Sequence, residues 1–150
     1  MWQSGWLLIP TDQVALLTGA TNEDDAEPRD YPWVGFPDGE VEGSDLNNLW
    51  LLVGDSEVEK PLCGQPLLDG PDGSQKIAPV SQEAAEAFAA LPESRIGELA
   101  AAWQQAKSET SSLSAWKLED IAEAIRELKF LARLHRNLEP DWELLMVWWL

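Results

Sequence analysis

One histidine, His135, one cysteine, Cys63, and 27 carboxylates are the residues from which this 150-residue chain would have to build catalysis or metal binding. A lone His and a lone Cys cannot assemble a zinc site of the usual Cys/His composition, nor any His-based metal centre. A Cys–His nucleophilic pair would need the two brought together in space. His135 instead falls on a basic stretch of a predicted helix, where a solvated or carbonyl-capping imidazole is the plainer expectation. No GxSxG, Walker, GxGxxG or HExxH pattern occurs. "DGPDGS", residues 69–74, has the flavour of a calcium loop, but its alternating ligands are broken and Val80 stands where a bidentate Glu would fall, so a tight Asp/Gly turn is expected. The carboxylates are too numerous for any one pair to mark a glycosidase-type acid and base. We therefore expect no catalytic residues, no metal and no cofactor.

The chemistry that remains is recognition. "TNEDDAEPRDYPWVGFPDGE", residues 21–40, holds seven carboxylates, three prolines and three aromatics (Tyr31, Trp33 and Phe36) around one basic residue, Arg29. Two readings compete: a solvated loop pinned to the core by its rings, or a face whose rings anchor a partner while acids steer it. Rigid aromatics ringed by charge are the composition of binding hot spots, which favours the second. The candidate partner-binding residues are Asp24, Asp25, Asp30, Tyr31, Trp33, Phe36, Asp38, Glu40 and Glu42. Trp50, Trp103, Trp116, Trp148 and Trp149 fall on apolar faces and are expected in the core.

Charge sharpens the choice of partner. The net charge is −17, and residues 1–75 hold fifteen acids against Arg29 and Lys60, while residues 76–150 hold twelve acids against eight bases. Such a field repels nucleic acid and attracts cations. It also disfavours an anionic lipid surface, and the longest uncharged apolar run, residues 144–150, is far short of the roughly 20 residues that cross a bilayer. A single cysteine and the absence of a basic-then-apolar leader point to a reducing cytoplasm.

The elements that must position these residues are legible in outline. Length and 45% apolar content predict one packed domain over residues 1–150, with an irregular acidic loop at about 20–45. A strand is expected at 6–9, then a short helix after Pro10 and Thr11 ending at Gly19. "YPWVGF" suits a brief edge strand. Ser44 is expected to cap a helix whose stripe is Leu46, Leu49, Trp50 and Val53, ending at Gly54. Two short strands should meet through a turn at 69–73, followed by helices at about 82–91, 94–107 and 115–137. The last has Leu118, Ile121, Ile125, Leu128, Leu131 and Leu134 on one face, acids leading and bases trailing, and stops at Asn137 and Pro140. The uncharged end reads as a strand covered on both faces beside the N-terminal strand. The expected class is α+β: a small mixed sheet including both terminal strands, packed against three to five helices.

The order "LNNLWLLVGD", "PLCGQPLLDG", "IAPVSQEAAEAFAAL", long amphipathic helix and apolar end resembles the bacterial YfbM-like family of small uncharacterised proteins, over roughly residues 46–150. That resemblance implies a fold and a bacterial origin, not an activity. In type the chain is also similar to bacterial immunity proteins, small acidic cytoplasmic α+β domains that neutralise basic toxins. The expectation is a non-enzymatic acidic protein that occludes a basic protein partner, most concretely a toxin. The alternative is a carboxylate-dependent enzyme or a small-ligand pocket lined by Trp rings.

Overall fold

The uncharged C-terminal run becomes the middle of a sheet. The computed structural model describes residues 3–14, 31–36, 43–54, 62–69, 75–105, 116–138 and 141–149. Five strands, β1 (Gln3–Pro10), β2 (Trp33–Phe36), β3 (Leu68–Asp69), β4 (Gln75–Pro79) and β5 (Trp142–Trp149), form one sheet in the order β2-β1-β5-β4-β3. Among the described residues four α-helices complete the α+β fold: α1 (Gly43–Gly54), α2 (Gln82–Ala89), α3 (Glu93–Gln105) and α4 (Leu118–Leu138). The terminal strands lie side by side as expected, Leu7 opposite Leu145 and Gln3 opposite Trp149. Among the described residues every pairing is antiparallel, which corrects the expectation of a mixed sheet. The reason lies in the helical excursion between β4 and β5. Pro79 stands opposite Leu145 and Gln75 opposite Trp149, so the chain leaves the sheet and re-enters it at the same end, whereas a parallel neighbour needs a crossover from one end to the other.

Alternation along the strands builds two apolar faces. Trp6, Leu8, Val34, Leu144 and Met146 join the helices in the main core, whereas Leu7, Ile9, Ile77, Leu145 and Val147 form a second cluster, with Val14 and Tyr31 packed against it. That is why β5 can carry an unbroken apolar run without alternation of polarity. All four helices contribute to the main core. Leu46, Leu49, Trp50 and Val53 are buried on α1, and Ile121, Ile125, Leu128 and Leu131 on α4. Leu134 is half-buried against the core. Leu118, assigned to the same stripe, is 49% exposed because it opens the first turn of α4. Phe88 joins the layers. Its ring lies 4.9 Å from that of Trp6, edge to face, and 6.5 Å from that of Trp50, stacked. The indole N–H of Trp6 is buried with no hydrogen-bond acceptor among the described residues, a local cost accepted for the apolar area of the ring.

Local signals account for the helix ends. Ser81 caps α2, its hydroxyl accepting from the Ala84 N–H at 3.2 Å, so the Pro-x-Ser handover from β4 works as its residues suggest. α1 begins at Gly43, placing Ser44 inside the first turn rather than ahead of it. The short helix after Pro10 starts as a 3-10 turn, Thr11–Gln13, and its expected continuation to Gly19 lies outside the described residues.

Candidate functional site

Of the acidic, aromatic segment, the described part is its edge strand. Among the described residues Trp33–Phe36 pairs with β1 alone, in the register Leu7↔Trp33, Trp6↔Val34, Gly5↔Gly35 and Ser4↔Phe36. The Leu8 N–H donates to the Pro32 carbonyl at 3.0 Å, one step further along the same register. Antiparallel ladders alternate between bonded and non-bonded pairs, so Val34 and Phe36 turn their main-chain groups toward β1. Trp33 and Gly35 consequently turn theirs outward, along the side of β2 that faces no other strand among the described residues. Val34 is buried in the main core, and Gly35 and Pro32 are exposed. Val34 is thus anchored in the core and β2 is laddered to β1, and among the described residues no strand pairs with its other side.

Tyr31 precedes this strand and is half-buried, packed on the second cluster with its ring 6.3 Å from that of Trp142 in an edge-on arrangement. Tyr31 therefore ties the start of β2 to the body of the protein. Asp24, Asp25, Asp30, Asp38, Glu40 and Glu42 lie outside the described residues. Trp33 and Phe36 are placed by backbone register as the two ends of β2. The outward-turned peptide groups of Gly35 are a feature that side-chain inventory overlooks; their signal is a glycine in a strand-forming run bracketed by Pro32 and Pro37.

The single cysteine and the single histidine occupy different settings. Cys63 forms an isolated bridge with Val80, and its thiol donates to the Met146 sulfur at 3.5 Å. Burial pushes this thiol from 9.0 up to about 12, against a smaller opposing pull from Lys76. At about pH 8 the folded protein then holds roughly a thousandfold less thiolate than the unfolded chain. Iodoacetamide labelling is expected to be slow in buffer and fast in guanidinium chloride. The sign for stability follows from the same shift: the folded state keeps its proton to higher pH, so the contribution is full below 9.0 and is lost as pH rises toward 12. Equally rapid labelling in both states would contradict this burial.

His135 lines an open groove of about 230 Å³ between α2 and α4, together with Gln82, Ala85, Glu86, Ala90, Ala132 and Arg136. The Gln82 side chain donates to Glu86 at 3.2 Å along α2, on one side of the groove. Among the described residues no tryptophan lines it; Trp6 and Trp103 are fully buried and Trp50 is 6% exposed, all within the main core. Further along α4, Arg126 donates to Glu93 at 2.6 Å and to Glu123 at 3.4 Å, and Lys129 stands 3.9 Å from Glu93, so part of the basic stretch is matched locally. Among the described residues no group of three or more His, Cys, Asp or Glu is placed to hold a metal ion, and no helix is long and apolar enough to cross a membrane. Comparison with protein-family models, curated proteins and solved structures finds no match.

Proposed function

We propose that this is a non-enzymatic acidic binding protein that occludes a basic protein partner, most concretely a bacterial immunity protein acting on a toxin in the cytoplasm. The observation that carries the reading is the uneven charge: the first half of the chain holds fifteen acids and two bases, and the segment containing β2 is its densest part. A strong field of one sign around a folded domain accelerates encounter with opposite charge and suppresses wrong partners. Acids interleaved with Tyr31, Trp33 and Phe36 exceed what solubility alone asks of a surface. The resemblance to the YfbM-like family would supply the bacterial setting, and the likeness in type to immunity proteins the role.

The test begins with a pull-down from the native host, followed by association and dissociation rates at two salt concentrations. Reversing Asp24, Asp25 and Asp30 to Lys is expected to slow association and flatten its salt dependence, because rim charges act on encounter. Trp33→Ala is expected to speed dissociation, at a cost of about 2 kcal/mol or more for a true anchor. Unchanged kinetics in all these variants, with a large loss of thermal stability in Trp33→Ala, would reduce the segment to a pinned loop and overturn the reading.

A further inference from the structure

We infer that the free side of β2 is completed by an extended cationic segment of the partner, which adds as a sixth strand. This rests on the proposed binding function and specifies how the partner is held. Three observations converge. Trp33 and Gly35 turn their N–H and C=O groups away from β1, on the outermost strand of the sheet. Gly35 is exposed and lacks a side chain, and a glycine within a strand permits close approach of another backbone. By sequence, Asp30 lies three positions before the strand and Asp38 two positions after it.

Charge selects the occupant. Exposed edges are a hazard because they pair with any strand, and proteins guard them with charge and proline. Here the guard is acidic: Pro32 and Pro37 bracket a four-residue window, and a second copy, also at −17, would set acids against acids. A strand carrying Lys or Arg meets the opposite situation. Main-chain pairing gives it affinity, and the net charge of −17 favours a cationic sequence over others.

The probe is a seven-residue peptide alternating Lys with Thr and Val, compared with a version N-methylated along one edge and a version with Glu replacing Lys, each titrated against the full chain by fluorescence anisotropy. The parent peptide is expected to bind, and both altered peptides to bind at least about tenfold more weakly, since two ladder bonds or the charge match are lost. Gly35→Pro blocks the outward N–H without removing a bond to β1, and is expected to weaken the parent peptide by a similar factor. The N-methylated peptide keeps the test independent of whether that variant folds. Equal binding of the N-methylated and parent peptides would overturn strand addition yet leave the charge-steered function standing. Failure of the parent peptide to bind, or a dimer of the chain that Gly35→Pro dissolves, would overturn it as well.

Discussion

A chain lacking residues 144–150 is expected to show no cooperative thermal transition. Residues 144–149 make up all but the first two residues of β5, which has β1 on one side and β4 on the other, so their loss divides the sheet into two unconnected pairs of strands. Leu144, Leu145, Met146 and Val147 are each no more than 2% exposed. At about 1.5 to 3 kcal/mol for each fully buried side chain, their removal forfeits an amount comparable with the net stability of a whole domain, about 5 to 15 kcal/mol. Both apolar clusters lose members at once, because the four side chains alternate between them. Far-UV circular dichroism should retain helical signal, near-UV signal should vanish, and an apolar dye should bind the exposed faces. A soluble truncated chain melting as sharply as the full one would overturn the placement of β5.

Phe88→Ala should be the most damaging single substitution among the helices. Phe88 is 1% exposed and its ring sits between Trp6 of β1 and Trp50 of α1, so it fastens the sheet to two helices at one point. Truncating a buried Phe costs about 3 to 5 kcal/mol, with the cavity left by the ring contributing part of that. For a chain of this size the melting temperature should fall by roughly 6 to 20 °C. Tryptophan near-UV signals should also weaken, since two indoles lose the same neighbour. Phe130→Ala is the control: the ring is 61% exposed on α4, and its removal should change stability by less than about 0.5 kcal/mol. Similar losses in the two variants would mean that Phe88 is no fastening point.

The elements that could be read in advance are those whose pattern is set by one partner surface. Leu46, Leu49, Trp50 and Val53 recur at helical spacing and are buried together, as are Ile121, Ile125, Leu128 and Leu131. The apolar end announced a strand buried on both faces because no exposed face would tolerate it. Strand direction was not legible, since it depends on which end of the sheet three helices return to, and no residue of β4 or β5 encodes that. Strand length was also underestimated: polar Gln3 and Ser4 and charged Glu143 extend the pattern through main-chain pairing, which is indifferent to side-chain polarity. At the candidate site, "YPWVGF" was legible as an edge strand from its prolines and aromatics, and β2 occupies that edge. The outward sense of the Gly35 peptide groups required the register, which only the Leu8–Pro32 hydrogen bond and the strand partners fix.

The pairing of β1 with β5 also governs how this chain finds its structure. Gln3 meets Trp149 and Ser4 meets Trp148, so the contacts that close the sheet join positions nearly a full chain length apart. Such contacts demand that a long loop be closed before any ladder bond repays the lost freedom, and topologies rich in them fold slowly. During synthesis β1 emerges first and has no central neighbour until β5 is made. Trp6, Leu7, Leu8 and Ile9, fully or almost fully buried in the finished protein, then wait uncovered. The helices between β4 and β5 are local and can form early, but the sheet they rest on is sealed only once β5 is made. The same strand that gives the fold its centre therefore sets the interval in which the nascent chain is open to aggregation.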